Sequence, residues 1–230
     1  NEKNLIDKLK NIYLFFLILF SGYSLNFFRT KVGMIALFLL GLILFFNIRL
    51  KKSILIPIGL WSFYFILNSI NIQSFHPYFF IQNVMLIIIS YWIIHHFKLD
   101  LFIKYERIVF RLCLIALFFY SIQSIDIDFF ENLMRSVDLS NNLFADKKII
   151  YESIGIYTLH INPENDLLNR ICGFTWEPGP FSVFTNIALM LHILFYRNKI
   201  NKLSKLKLVT YILCVLLAQS STGIILLFII

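Results

Sequence analysis

Residues 53–72 read SILIPIGLWSFYFILNSINI and contain no charged side chain. A membrane-spanning α-helix needs about 20 consecutive apolar residues, so this stretch is long enough to cross a bilayer. The same character extends over the chain, because 59% of its 230 residues are hydrophobic and only 15% are charged. Soluble domains carry about a quarter charged residues. We therefore predict a multi-pass integral membrane protein and exclude a soluble globular one.

Apolar stretches of this kind recur along the chain and predict an all-α, polytopic bundle of transmembrane helices. The fifth stretch is short, but Arg107 and Arg111 precede it, and long basic side chains can reach the interface from inside a span. The seven predicted spans are residues 12–28, 32–48, 53–72, 78–94, 112–125, 178–196 and 208–230.

The distribution of basic residues predicts a cytoplasmic N-terminus. With that orientation all but six of the 21 Lys and Arg residues face the cytoplasm, as the positive-inside rule requires. The net charge of +8 then reflects topology, and we expect no nucleic-acid partner. The six exceptions are Arg29, Lys31, Arg135, Lys147, Lys148 and Arg170.

The chain divides into three predicted parts: spans one to five (1–123), an extracytoplasmic loop (124–177) and spans six and seven (178–230). The loop carries nine acidic and four basic residues and is the part with room for aqueous chemistry. Apolar residues at helical spacing between Phe129 and Val137 predict a short amphipathic helix, either on the membrane surface or packed on the bundle. Because the chain begins at Asn1 and stops inside an apolar run, we expect it to be part of a longer protein.

The end of the loop carries the densest set of unusual residues, RICGFTWEPGPF at 170–181. Pro178 and Pro180 suit the first turn of a helix, and Trp176 suits the headgroup level. The positive end of that helix and its free amides would favour an anion, and Arg170 could hold phosphate oxygens with its guanidinium. Equally, a sequence of this kind is suited to lead any chain from an external loop into a membrane-spanning helix.

These residues resemble the O-antigen polymerase and ligase family, multi-pass bacterial enzymes of surface polysaccharide assembly such as lipopolysaccharide and capsule. The resemblance covers about residues 170–223, and the earlier spans agree only in being hydrophobic. It is carried by Arg170, Gly173, Phe174, Trp176, Glu177, Pro178, Gly179, Phe181, the run 186–189 and the run Ser220, Ser221, Thr222 and Gly223.

The resemblance implies a glycosyltransferase in the bacterial inner membrane that moves a glycan from undecaprenyl diphosphate to an acceptor sugar at the outer face. Arg170 matches a position thought to hold the diphosphate. Glu177 would accept a proton or orient Arg170, while Gly173, Trp176 and Gly179 would contact the substrate. The implied partners are the lipid-linked oligosaccharide, membrane lipid and a chain-length regulator protein, with no cofactor or metal. The chain ends before the second external loop, where the family places further basic residues.

The sequence leaves two other classes of function open, a transporter and a metal-dependent glycosyltransferase. A transporter or flippase of lipid-linked glycans would be expected to hold charges near the midplane, but the predicted spans carry none. A metal-dependent glycosyltransferase could use Asp126 and Asp128, although a solvated loop with a helix cap at Asp128 explains that pair as well. His160 is a loop histidine, while His192 and Asn186 are polar residues of the sixth span without an assigned site. Residues 219–222 of the seventh span are expected to form hydrogen bonds between helices or, less readily, to line a substrate path.

Overall fold

The computed structural model describes residues 2–22, 30–72, 76–137, 150–161, 170–196 and 202–230. Within these ranges the chain is mainly α-helical, with one 3-10 turn (Lys52–Ile54), one short β-hairpin and connecting segments such as 170–177. The helices are α1 (Glu2–Ser21), α2 (Lys31–Phe45), α3 (Leu55–Ile72), α4 (Pro77–Phe97), α5 (Asp100–Ile125), α6 (Ile127–Ser136), α7 (Pro178–Tyr196), α8 (Lys202–Ala218) and α9 (Ser221–Ile229); the strands are β1 (Ile150–Ser153) and β2 (Thr158–Ile161).

The all-α prediction for a membrane protein is confirmed at a coarse level. Among the described residues, four helices are long and apolar enough to cross a bilayer. They are Lys52–Asn71, Pro77–Phe97, Asp100–Ile125 and Pro178–Phe195, and the shorter Lys31–Phe45 is also apolar.

Three predicted spans differ from the observed helices. The first was predicted from residue 12, but α1 begins at Glu2. The fifth is much longer than residues 112–125, because α5 begins at Asp100 and its first turns are charged. The seventh is interrupted, since α8 ends at Ala218 and α9 starts at Ser221. Gln219, between them, has a left-handed φ of 48°, which stops the helix.

The chain separates into two compact units. The first comprises residues 1–14 and 30–101, and the second comprises residues 15–29 and 102–230. In the first unit the Tyr13 hydroxyl donates to the Leu37 carbonyl at 2.9 Å, and Gly41 leaves the space that the Tyr13 ring fills. Phe38 and Trp92 stack with ring centroids 5.7 Å apart, so α2 and α4 share an aromatic core.

The second unit holds the loop elements and α5 to α9. Tyr157, in the turn of the β-hairpin, is fully buried and its hydroxyl donates to Gln123 Oε1 at 2.6 Å. The rings of Phe119 and Phe130 lie 5.3 and 5.8 Å from the Tyr157 ring. The hairpin is therefore held on α5 and α6 by an aromatic core with one buried hydrogen bond.

Many large apolar side chains stay exposed, as lipid-facing residues must. In α3 the exposed fractions are 68% for Leu60, 65% for Phe63 and 70% for Ile70. A soluble surface rarely shows contiguous apolar patches of this kind. The outer surface of α3 is therefore one that a bilayer would solvate.

Candidate functional site

The segment 170–177 is held in place by its backbone. Arg170 itself is partly exposed at the start of the segment. Three hydrogen bonds tie the following residues to α8, to β2 and to the end of α1, so the segment is a fixed part of the second unit. They join Ile171 N to Leu217 O (3.2 Å), Thr158 N to Gly173 O (2.7 Å) and Trp176 N to Gly22 O (3.1 Å).

Gly173, predicted to contact substrate, has a clear packing reason to be glycine. Its φ of +54° lies in the left-handed region that side chains disfavour. In addition, a Cβ atom at this position would collide with the ring of Phe181. Gly173 therefore allows the loop to turn directly beneath the first helical turn of α7.

Thr175 and Cys172 form the buried underside of the same turn. The Thr175 hydroxyl lies 2.9 Å from the Cys172 carbonyl oxygen and 2.6 Å from that of Glu177, so it supports the chain as it enters α7. Burial raises the pKa of the Cys172 thiol well above its ordinary value, Glu177 raises it further, and Arg170 lowers it. The two charges therefore have opposite effects on the pKa of the same buried thiol.

Arg170 and Glu177 do not form an ion pair within the part of the chain that the structure describes. The expected orientation of Arg170 by Glu177 is thus not seen. Partial burial raises the pKa of the Glu177 carboxyl above 4.5, because desolvation disfavours the charged form. A carboxyl with a raised pKa accepts protons more readily near neutral pH.

The start of α7 offers fewer amide donors than the sequence interpretation assumed. Pro178 and Pro180 lack an N–H group, and the Phe181 amide donates to the Glu177 carbonyl at 3.4 Å. Of the first four residues of α7, only Gly179 contributes a donor that is not used in this way. The helix dipole remains, but the predicted cradle of unpaired amides is reduced to one.

A second helix start lies beside the first. Ser220 caps α9 by accepting a hydrogen bond from the Gly223 amide at 3.4 Å. Its hydroxyl oxygen is 3.8 Å from where a Cβ atom on Gly179 would stand. The first turns of α7 and α9 are therefore in contact, so the positive ends of two helix dipoles lie next to each other. At the same place Ile171, the residue after Arg170, is hydrogen-bonded to α8.

The contact continues inward as a polar seam between α7 and α9, formed by Gly179, Ser182, Asn186, Ser220 and Gly223. Asn186 is 2% exposed and its Nδ2 donates to the Gly223 carbonyl at 2.9 Å. Its Oδ1 has no partner among the described residues. The hydrogen bond between the helices therefore comes from Asn186 to a backbone carbonyl, whereas Ser220 bonds within its own helix; the expected interhelical role of residues 219–222 stays a prediction.

The two aspartates of the loop, Asp126 and Asp128, lie at the start of α6. Asp126 caps α6 by accepting from the Phe129 amide at 2.9 Å, and Asp128 lies in the first turn. The cap is therefore Asp126 and not Asp128. The described residues contain no group of three or more His, Cys, Asp and Glu side chains arranged to hold a metal. The side chain of His160 lies outside the described residues.

Sequence reasoning missed a buried cluster on α5, α7 and α8. Glu106 is 0% exposed and Lys207 is 8% exposed, and Lys207 Nζ lies 3.0 and 2.9 Å from the two carboxylate oxygens. Both residues precede the predicted spans at 112 and 208, but both lie inside observed helices. The predicted spans themselves carry no charged residue, but the observed helices extend beyond them and bury this pair.

Comparison of the chain with protein-family models, with curated proteins and with solved structures finds no match. The apolar helices and their exposed surfaces define a helical membrane protein. The second unit contains two polar clusters that are candidates for a functional site. One lies around Arg170 and the other around Glu106.

Proposed function

We propose that the chain is part of a bacterial surface-polysaccharide polymerase of the O-antigen polymerase and ligase type. In this proposal it transfers glycan repeat units from undecaprenyl diphosphate to an acceptor sugar at the outer face of the inner membrane. The observation that carries this proposal is that the first turns of α7 and α9 contact each other beside the segment that contains Arg170. A guanidinium and two helix dipoles are suited to a diphosphate leaving group.

The proposal includes a topology. With the N-terminus in the cytoplasm, most Lys and Arg residues lie inside, and residues 124–177 with Arg170 lie outside. The start of α7 then opens at the outer interface, where the diphosphate of a lipid-linked sugar would reside. All seven predicted spans belong to this proposal, including the short α2 and the interrupted α8 and α9.

Glu177 is proposed as the group that accepts the proton of the incoming sugar hydroxyl. Two observations support this role over orientation of Arg170: the two side chains are not paired, and the pKa of Glu177 is raised. Trp176, which is half-buried, offers an aromatic face to a sugar ring. The proposed partners are the lipid-linked oligosaccharide, membrane lipid and a chain-length regulator protein.

Replacing Arg170 tests the proposal in the full-length protein, in a strain that lacks its own copy. We expect Arg170→Ala to abolish long-chain polysaccharide at normal protein level, because the diphosphate loses its fixed cation. Arg111→Ala is the matched control, since Arg111 is an exposed arginine of α5, and it should keep normal chain length. Normal chain length in Arg170→Ala would remove the assignment.

The topology is tested separately by labelling Arg170→Cys with a membrane-impermeant maleimide in intact cells. Labelling from outside is the expected result. Labelling only after permeabilisation would place the site on the wrong side for a lipid-linked glycan.

A transporter of lipid-linked glycans is the second candidate, and two observations favour it. The helix break at Gln219 and the buried pair of Glu106 and Lys207 are kinds of feature that transporters contain. Reconstituted vesicles separate the two functions. A transporter would move a fluorescent lipid diphosphate sugar across the bilayer without lengthening it, whereas a polymerase would lengthen it.

A further inference from the structure

The Glu106 carboxylate is paired with the Lys207 ammonium group. Besides the two contacts with Lys207, its Oε1 accepts a hydrogen bond from the Tyr211 hydroxyl at 2.9 Å and lies 3.0 Å from His192 Nδ1. A buried carboxylate is stabilised by a paired cation and by hydrogen-bond donors. Lys207 and Tyr211 provide both.

This charge state fixes the protons on His192. An ionised carboxylate can only accept hydrogen bonds, so Nδ1 of His192 must carry its hydrogen toward Glu106. In the neutral imidazole Nε2 is then a bare acceptor. The Ser204 hydroxyl oxygen is 2.9 Å from that nitrogen, so in this tautomer the Ser204 hydroxyl donates the hydrogen bond.

The contacts thus run from Ser204 to His192 to Glu106, which is the order of nucleophile, base and orienting acid. This order of contacts is what activates a serine for attack on an acyl carbon, and it recurs on unrelated folds. The residues come from α8, α7 and α5, so the order exists only in the folded second unit. Lys207 and Tyr211 are positioning residues, because they act through Glu106.

The position of Ser204 suits a nucleophile. It lies in the first turn of α8 and is half-buried, whereas His192 is only 3% exposed. Helical side chains lean toward the N-terminus, where the first amides have no acceptor in their own helix. Those amides and the positive helix end would stabilise the oxyanion of an attacked carbonyl.

We propose that Ser204 is the nucleophile of an esterase site for carboxylic esters with an apolar acyl chain. Leu203 and Leu206, which are 56% and 52% exposed, provide the apolar surroundings for that chain. Ser204 Oγ bonds to the acyl carbon while His192 Nε2 takes the hydroxyl proton. The ester C–O bond breaks, and His192 gives the proton to the leaving alcohol. Water then attacks the acyl-serine by the same route and releases the acid.

This site is independent of the polymerase proposal, since it shares no residue with the site around Arg170. In the proposed topology it would lie at the cytoplasmic end of the second unit. Failure of either assignment leaves the other unaffected, because polysaccharide length tests one and serine reactivity tests the other.

An alkyl fluorophosphonate tests the assignment on the purified chain in detergent. Its phosphorus stands in for the acyl carbon: an Oγ–P bond forms, the P–F bond breaks and fluoride leaves. We expect mass spectrometry to find the adduct on Ser204 and the chain to hydrolyse p-nitrophenyl octanoate. Ser204→Ala should lose both, and His192→Gln should slow both by about 100-fold or more, the usual contribution of a general base.

Ser62→Ala is the matched control, because Ser62 is also half-buried but, among the described residues, its hydroxyl bonds to the Ile58 carbonyl (2.8 Å) and not to a histidine. It should label and hydrolyse like the wild type. Thermal unfolding of each variant shows whether it is folded. An unlabelled wild-type chain, an adduct on another serine, or undiminished labelling of folded His192→Gln would overturn the assignment.

Discussion

Asn186 in α7 donates a hydrogen bond to the carbonyl oxygen of Gly223 in α9, with 2.9 Å between Nδ2 and the oxygen. Both residues are buried, and the bond ties a helix that starts after a loop to one that starts after a break. A continuous seventh span would not present the first turn of α9 beside α7. The interruption at Gln219 is thus what makes the polar seam.

Gly223→Ala should destabilise the second unit. A Cβ atom at this position would collide with the side chain of Ser182, and overpacking of this kind costs about 1–3 kcal/mol. The thermal unfolding midpoint in detergent should fall. Adding Ser182→Gly should restore part of the loss, and a Gly223→Ala protein with an unchanged midpoint would contradict the packing described here.

Gly173→Ala should be more damaging than a similar change in a helix. The new side chain would meet the Phe181 ring and would also be forced to a φ of +54°, which adds about 1 kcal/mol or more of backbone strain. Gly59 in α3 is the control, since nothing lies within 4 Å of its added Cβ. Gly59→Ala should be neutral or stabilising by up to about 1 kcal/mol. Equal midpoints for the two variants would refute the comparison.

Lys207→Met should cost about 3–5 kcal/mol, the usual effect of leaving a buried charge without its partner. The double variant Lys207→Met with Glu106→Gln should recover much of this loss, because no net charge is then buried. Unfolding by SDS in mixed micelles provides the measurement. Lys205→Met, at an exposed lysine of the same helix, should change little; a Lys207→Met protein as stable as this control would argue against the ion pair.

Glu177→Gln should flatten the pH dependence of stability. Because the folded pKa of Glu177 is raised above 4.5, the folded state keeps this proton to higher pH than the unfolded state does. Its contribution to stability is therefore fully present below the ordinary pKa and is lost as the pH rises through the raised one. Thermal midpoints measured from about pH 4 to 7 should fall less in Glu177→Gln. Parallel curves would contradict this.

The sequence predicted helix limits well where a proline marks the first turn. The sixth span was predicted at 178–196 and α7 is Pro178–Tyr196, while α4 begins at Pro77, one residue before the predicted 78. Proline has the backbone angle of a first turn and no amide to leave unpaired. Hydropathy carried no comparable signal at Gln219, because a break between apolar runs leaves the mean hydropathy high. The signal that would have found it is a capping serine at 220 ahead of Gly223.

The site around Arg170 stays a prediction, and the sequence did not indicate how its segment is packed. Its residue types suggested an anion site, yet the contact of Gly179 with Ser220 joins positions far apart in the chain and depends on the break. The buried cluster could not be seen at all. Glu106 and Lys207 are separated by 101 residues, and each looked like one more charged residue flanking an apolar stretch.

The three cysteines of the chain, Cys113, Cys172 and Cys214, are all free and all buried. Thiol-directed dyes and spin labels react with exposed thiolates. The three buried cysteines should therefore react little with such reagents. Pairs of surface cysteines could therefore report distances by electron paramagnetic resonance or energy transfer without first rebuilding the interior. Such measurements would follow movements of individual helices within either unit.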